Sequence, residues 1–481
     1  MAFNHGSRVT EIPTSLSVPV EASATLMVYF GTAPINLAAT KEYVNEPIIA
    51  YSWDEAVSAL GYSDDWKNYT LCEAMDAAFR QFNVAPAVFV NVLDPAVHKT
   101  SANEIVEIKS GKAISTVKGI LKDSLKVKLD ETSDELEKDI DYIASFDDDG
   151  NLVIAIVPGG SVPLSQGSLY ITYEKLAPEM VDEDDIIGGY SVNTGKRKGL
   201  ELLNAIFPKF GLVPGQVIVP KFSKIPGVAA VMRAKASAVN SYFRSYVWTD
   251  IDTIEANTYQ KANEWKNQNN YTGTNESVCW PMIALDDKVY HLSTQAACLT
   301  VKVAQNNGDY PHESPSNKNL SMNKMVLGDG TKVDLGPEQA ELLNSQGITT
   351  ALNFMGGWKL WGNRTGAYPA NTDVKDIFIP VRITHNWIAN TIILTTWSKV
   401  DRPITRRLID NIVDTMNNWF NGLQATGVVL GGRVEFRKDE NPLTNLLNGK
   451  IRLHYFTAEP TPAEDIENLL EFDPNYYNSL F

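Results

Sequence analysis

Cysteine is scarce. Cys72, Cys279 and Cys298 are the only three in 481 residues, too few and too scattered for a disulfide framework or a zinc site, so synthesis in a reduced, intracellular compartment is expected. The six histidines form no cluster in the sequence. No uninterrupted apolar run approaches the ~20 residues of a membrane span. The start, Met1-Ala2-Phe3-Asn4-His5-Gly6, lacks the basic and apolar regions of a signal peptide. Basic residues are in deficit, 42 Lys+Arg against 58 Asp+Glu for a net charge of −16, which excludes non-specific attraction of the whole molecule to nucleic acid or anionic lipid. Walker A, GxGxxG, HExxH, GxSxG and paired CxxC motifs are all missing. Neither a cofactor nor a metal is expected.

What is present is an ordinary globular composition, 44% hydrophobic and 21% charged, in a chain long enough for several domains. Its charge is uneven. Ten acids and one lysine fall between Asp130 and Asp149, marking a hydrated, peripheral region. Residues 396–456 carry nine bases, among them Arg402, Arg406 and Arg407, against six acids, while 457–481 has six acids and no base. Such polarity suits a chain whose acidic end meets a basic surface on another copy.

Residues 1–25 read as an extended arm: Leu16, Val18 and Val20 alternate with polar or proline positions, and Pro13 and Pro19 exclude helix. Leu26 to Phe30 reads as a buried strand. Ser52 with Glu55, and Thr70 with Glu73, form capping boxes that predict two helices, and Ala87 to Leu93 is a strand buried on both faces. Strand, helix, strand implies a parallel α/β layer. From about 96 to 194 the texture changes to short alternating stretches, predicting a small all-β domain. The α/β rhythm then resumes with helices at Leu200 to Phe207 and Gly227 to Tyr242, and strands at Val217 to Val219 and Ser245 to Asp250. Residues 305–330 form a long irregular loop. A last module is predicted from near Asp373: a strand Ile377 to Ile383, a helix from about Pro403 to Leu423, and strands Val428 to Phe436 and Ile451 to Phe456. The tail Ala463 to Phe481, with Leu470 and Phe472 alternating against Glu471 and Asp473, is a second candidate arm.

Candidate chemistry is thin. Asp250 and Asp252 end an apolar strand and precede His291, the chain order of an Asp, His, Ser hydrolase on an α/β sheet, but no Gly-Thr-Ser nucleophile turn follows; a strand-terminal Asp is more often a cap or turn former. His312 has no second histidine near it, so a loop hydrogen bond is the stronger reading. Gly356-Gly357 and Gly431-Gly432 lack the lysine or helix of a phosphate loop and read as tight turns. Trp358 and Trp361 with Arg364 read as core or interface packing.

An ordered series remains: His5-Gly6 and Val9-Thr10-Glu11-Ile12-Pro13, then Gly31-Thr32-Ala33-Pro34, Ser314-Pro315-Ser316-Asn317-Lys318, Leu343-Asn344-Ser345-Gln346-Gly347-Ile348, Trp358-Lys359-Leu360-Trp361-Gly362-Asn363-Arg364-Thr365 and Pro460-Thr461-Pro462-Ala463-Glu464-Asp465-Ile466. This series resembles the contractile tail sheath proteins of myophages and phage-tail-like bacteriocins, in the family's order over nearly the whole chain. The resemblance implies an α/β multidomain fold: an N-terminal arm (1–25), a first core segment (26–95), an outward-facing β-sandwich domain (96–195), a subtilisin-like α/β core without protease activity (196–365), a C-terminal α/β domain facing an inner tube (366–460) and a C-terminal arm (461–481). It further implies hexameric rings stacked around the tube, linked by arm strands carrying Leu16, Val18, Val20, Leu470 and Phe472, with Arg402, Arg406 and Arg407 toward the tube. The implied partners are further copies of the chain, the tail tube protein, and baseplate and tail terminator proteins, with no nucleic acid and no membrane insertion. The implied location is a virion tail or tail-like particle assembled in the bacterial host cytoplasm. A hydrolase using Asp250 and His291, and a sheath of a related injection or secretion system, are the alternatives.

Overall fold

The computed structural model describes residues 19–39, 43–193 and 195–480. Leu16 and Val18, and with them most of the expected N-terminal arm, lie outside the described residues. The chain starts the α/β core with β1 (Met27–Gly31), β2 (Ile48–Ala50), α1 (Trp53–Leu60), α2 (Thr70–Met75) and β3 (Ala87–Asn91). A peripheral β unit follows: β4 (Lys99–Lys109), β5 (Lys112–Ser115), β6 (Lys126–Lys128), β7 (Tyr142–Phe146), β8 (Leu152–Ile156) and β9 (Ser168–Leu176). After α3 (Glu183–Ile187) and a small ribbon of β10 (Gly189–Tyr190) and β11 (Arg197–Lys198) come α4 (Leu203–Phe210), β12 (Gln216–Ile218), α5 (Pro226–Ser237), β13 (Tyr246–Asp250), α6 (Tyr259–Gln268) and β14 (Glu276–Cys279). Next are β15 (Met282–Leu285), β16 (Lys288–Tyr290), α7 (Leu292–Asn306), β17 (Lys324–Val326), β18 (Lys332–Val333), α8 (Pro337–Asn344), β19 (Ile348–Asn353) and β20 (Trp358–Trp361). The chain closes with α9 (Val374–Ile377), α10 (Ile379–Trp397), α11 (Arg406–Ala425), β21 (Gly431–Glu435), α12 (Leu443–Leu447) and β22 (His454–Ala458).

Among the described residues the central sheet runs in the order β2-β3-β1-β12-β13-β14-β19-β20. Its six middle strands are parallel, while β2 and β20 join antiparallel at the edges. β1, β3 and β13 are buried along their whole length, as both faces of a helix-covered parallel sheet require. Trp248 and Tyr246 on β13 are fully buried; the Trp248 indole donates to Gln216 Oε1 at 2.6 Å and Tyr246 shares a 2.8 Å bond with Ser277, so neither polar tip is left unmet.

In the β unit all strand pairs are antiparallel, in the order β6-β9-β4-β5-β8-β7. Strand β4 serves both halves, pairing with β9 through residues 99–107 and with β5 through 108–109. The inward residues of the two halves, Val127, Leu169 and Ile171 on one and Ala113, Tyr142 and Ile154 on the other, share a core separate from that of the α/β unit.

Several local expectations are corrected. Ile377 to Ile383 is not a strand: Asp373 caps α9 and Pro380 lies in the first turn of α10. The β-branched run misleads because α10 is buried nearly all round, which erases the one-sided periodicity that marks a surface helix. The helix expected from about Pro403 starts at Arg406, since Thr405 is the N-cap. The Ser52 cap stands, but Thr70 is already inside α2 and its hydroxyl accepts from Thr32 N–H at 3.2 Å. Gly431 and Gly432 lie within β21, not in a turn. The reason for Gly432 is closeness: a Cβ there would stand 2.6 Å from Cγ of the buried Phe420. Gly432→Ala should therefore lower stability by about 1–3 kcal/mol through overpacking, read as a drop in chemical or thermal midpoint with the far-ultraviolet spectrum unchanged.

Candidate functional site

Parallel α/β sheets place chemistry at the carboxyl ends of their strands, and a cavity of about 940 Å³ lies there, lined in part by Glu73, Lys221, Lys224, Asp250 and His291. Asp250 ends β13 and is 6% exposed. Its Oδ2 accepts from Ser223 at 3.0 Å and from Ser293 at 2.5 Å, and its Oδ1 accepts from Ser293 N–H at 3.1 Å. Asp250 thus occupies the N-terminus of α7, where its negative charge suits the exposed N–H groups. His291, the residue before α7, points elsewhere. Its Nδ1 lies 2.8 Å from Glu73 Oε2, and its Nε2 accepts from Lys221 N–H at 3.1 Å. Glu73 Oε1 also accepts from His291 N–H at 2.6 Å.

This arrangement does not make a hydrolase. Both imidazole nitrogens are engaged, and the two serines donate to the carboxylate rather than to the histidine, so no hydroxyl is set up to lose its proton. Asp250 and His291 lie on one cavity but do not touch each other in a relay. Sequence reasoning missed Glu73 as a buried partner by treating it as a capping residue; its helical neighbours Asp76 to Gln81 form a π-helical turn, and Asp76 accepts from Tyr290 at 2.7 Å and Lys288 at 3.0 Å. Burial disfavours Asp76 ionisation, but these bonds outweigh it and hold its pKa below the usual carboxylate value. Two buried carboxylates, Glu73 and Asp76, thus stitch the first core segment to β16 and the residue before α7, and a third, Asp250, ties β13 to α7.

The surfaces singled out by charge lie elsewhere. Arg402, Arg406 and Arg407 are all exposed in and after the α10–α11 connection; Arg402 Nε donates to Ser398 O at 3.1 Å and Arg406 pairs with Asp410 at 3.2 Å. Val20 is 57% exposed, yet its N–H donates to Thr395 Oγ1 of its own chain at 3.0 Å. Leu470 and Phe472 are 100% and 74% exposed in a tail with no regular strand, followed by a 3-10 turn at Pro474–Leu480. The alternation expected over 463–481 has no partner strand among the described residues.

The tryptophan and Ser-Pro-Ser-Asn-Lys segments, far apart in sequence, come together. Asn317 N–H donates to Leu360 O at 2.7 Å, Leu360 N–H to Lys318 O at 3.0 Å, and Gly362 N–H to Ser316 Oγ at 3.0 Å, so residues 316–318 cover the outer edge of β20. Gly356 and Gly357, both left-handed (φ 70° and 93°), turn β19 into β20. His312 Nδ1 is buried with no partner among the described residues, so the expected loop hydrogen bond is not formed by that nitrogen. Among the described residues no group of His, Cys, Asp and Glu could hold a metal ion, and no helix is long and apolar enough to cross a membrane.

Burial opposes protonation of His291, but the adjacent Glu73 outweighs it and raises the pKa above 6.5. A raised histidine pKa stabilises the fold fully below the unfolded value, and this is lost as pH rises through the folded value. The stability deficit of Glu73→Gln should therefore be larger at about pH 5.5 than at about pH 8.5. Denaturant titrations at the two pH values measure this; equal deficits would remove the coupling.

No family model matches the chain. The tail sheath protein of Burkholderia phage BcepMu is 27% identical over 492 residues, covering 100% of this chain and 99% of that protein. The major tail sheath protein of Serratia phage KSP20 is 28% identical over 311 residues, covering 62% of this chain and 72% of its own length. The tail sheath protein of Escherichia phage P2 is 27% identical over 295 residues, covering 59% and 69%. Among solved structures, a chain of the PVC extracellular contractile injection system sheath complex in its contracted state has a TM-score of 0.58 at 14% identity, with 99% of both chains covered. A chain of the anti-feeding prophage baseplate has a TM-score of 0.55 at 13% identity, covering 98% of this chain and 100% of that one. A strand-end cavity whose polar groups are spent on structure, together with this end-to-end similarity to phage tail sheath proteins, supports reading the chain as a tail sheath component, structural rather than enzymatic.

Proposed function

We propose that the chain polymerises as stacked hexameric rings around an inner tube, joined by strands exchanged between copies, and that the lattice contracts to drive the tube through a bacterial envelope. The observation that carries this reading is a pair of unfinished surfaces. Ile466, Leu469, Leu470, Phe472, Tyr476, Tyr477 and Leu480 are all more than half exposed, and each would contribute about 1.5–3 kcal/mol on full burial. At the same time β21 and β22 pair only with each other among the described residues. A two-stranded sheet is marginal on its own; Asn417 of α11 meets the N–H and C=O of Val434 on β21 at 2.8 and 3.2 Å, while β22 has no strand on its outer side among the described residues. A tail from one copy added to that edge on another satisfies both surfaces at once.

The same reading assigns the remaining parts. The β unit carries the acidic run and forms the outward domain; the central unit is a subtilisin-like core kept as scaffold; the module from 366 to 460 faces the tube. Arg402, Arg406 and Arg407 supply positive charge toward a tube surface that should be acidic. Further copies, the tube protein, and baseplate and terminator proteins are the partners, in a virion tail or tail-like particle assembled in the host cytoplasm. Since the sequence has no nucleotide-binding motif, the extended lattice is taken as a kinetically trapped state and contraction as downhill.

Deleting residues 1–20 or 463–481 should leave a soluble, folded monomer that does not polymerise, seen by sedimentation and negative-stain imaging; normal tubes from both deletions would remove the mechanism. Changing Arg402, Arg406 and Arg407 together to Glu should weaken co-sedimentation with tubes of the tail tube protein by about tenfold or more while sparing self-assembly, and the parent's binding should weaken with salt. Equal loss of both activities would assign the cluster to contacts between copies.

A further inference from the structure

Both chain ends are rooted on one helix. At the N-terminal root, the N–H groups of Val20 and Ala22 donate to Thr395 Oγ1 and Thr391 Oγ1 at 3.0 and 3.1 Å, and Ala22 O accepts from Trp387 Nε1 at 3.0 Å. Alternate amides of an extended segment point the same way, and residues four apart on a helix share a face. Trp387, Thr391 and Thr395 therefore present three polar atoms in a row, standing in for the edge of a neighbouring strand. Trp419 of α11 adds a fourth bond, donating to Glu21 Oε1 at 2.9 Å.

At the C-terminal root, His385 Nδ1 of α10 lies 3.0 Å from Glu459 Oε1, which also accepts from Thr457 Oγ1 at 3.1 Å. Five residues on, across Pro460 and Pro462, Glu464 accepts from Nε and Nη2 on one edge of the Arg364 guanidinium, with Nε at 3.0 Å from Oε1. The Arg364 guanidinium lies 4.1 Å from the ring centre of Phe378, the N-cap of α10, and 4.5 Å from that of Tyr368. Past Glu464, the side-chain hydrogen bonds of the tail among the described residues are local, such as Asn468 to Ile466 O and Ser479 to Tyr476 O. The helix itself is fixed to the core: the Asn390 side chain bonds both N–H and C=O of Arg244, at 2.9 and 2.8 Å, and Asn386 donates to Asn275 at 3.0 Å.

We propose that α10 is a mechanical tie: a neighbour pulling on the N-terminal arm transmits its load through about 15 Å of this helix, from Thr395 to His385, to the root of the C-terminal arm and the next copy. The partner at each end is a second copy of this chain, so the inference rests on the strand-exchange reading above. Load carried this way runs along α10, with the α/β core attached at its side through Arg244 and Asn275, and leaves the β unit, whose core is separate, outside the loaded path. The otherwise unexplained Asn-Arg-Thr and Pro-Thr-Pro-Ala-Glu segments then form the C-terminal clamp.

The test uses full-length protein with Thr391→Val/Thr395→Val at one root, Glu464→Gln at the other, and all three together. In the monomer, hydrogen exchange at Val20 and Ala22 should be about tenfold or more faster in the threonine variant, with the thermal midpoint close to the parent's. Assembled tubes of either root variant should fragment at several-fold lower shear, and the triple variant should be no weaker than the weaker root alone, because links in series fail at the weakest. A folded root variant that does not polymerise also supports the tie. Unprotected Val20 and Ala22 amides in the parent, parent-like shear resistance in both root variants, or additive losses in the triple variant would overturn it. If the root variants behave as the parent while the arm deletions abolish polymerisation, only the tie fails; if the deletions polymerise normally, the strand-exchange reading fails with it.

Discussion

The backbone's demand for hydrogen bonds is the constraint on which the rest depends. A main-chain N–H or C=O must be met by protein or by water, and this chain meets it in three ways. The central sheet closes its edges with antiparallel strands, and residues 316–318 cover the far side of β20. The N-terminal root borrows two threonine hydroxyls and an indole from α10. The β21–β22 ribbon has Asn417 of α11 bonded to Val434 on β21 and no strand on the outer side of β22 among the described residues, and it leads into a tail whose apolar side chains are bare. A monomer built in this way is complete in its core and incomplete at its margins, which is what the proposed polymerisation without unfolding requires.

The strand-end cavity shows the complementary case. In an enzyme of this architecture the polar groups at the carboxyl ends of the sheet would be left available to a substrate. Here Asp250 caps α7 and takes two serine hydroxyls, Glu73 holds the imidazole and main-chain N–H of His291, and Lys221 N–H occupies the remaining ring nitrogen. Lys221 adopts a left-handed backbone (φ 71°) at that position, a conformation that costs a non-glycine residue energy and serves here to close a structural bond. Burial, with Lys224 and Lys67 nearby, lowers the pKa of the Lys221 ammonium. Groups suited to catalysis have become mortar between the first core segment and the second.

Much of the fold was legible because it follows local periodicity. β1 and β3 read as doubly buried strands, and the apolar positions Ile412, Met416 and Phe420 mark the inner face of α11. The legible part ends where burial is two-sided or partners are remote. α10 looks like a strand because both its composition and its all-round burial hide a helical stripe. Glu73 looks like a cap because the histidine it holds is 218 positions away. Gly432 looks like a turn because nothing nearby in sequence announces Phe420 above it.

By itself, then, the sequence determined the layering of α/β core and β unit, the acidic and basic poles, the lack of catalytic motifs and the family resemblance, since composition, spacing and order are properties of the chain alone. Only the tertiary structure decided that Asp250 and His291 have separate partners, that residues 316–318 close the edge of β20, and that both chain ends take root on α10. Those facts concern which distant groups meet within hydrogen-bond reach, and a one-dimensional pattern carries no distance between residues hundreds of positions apart.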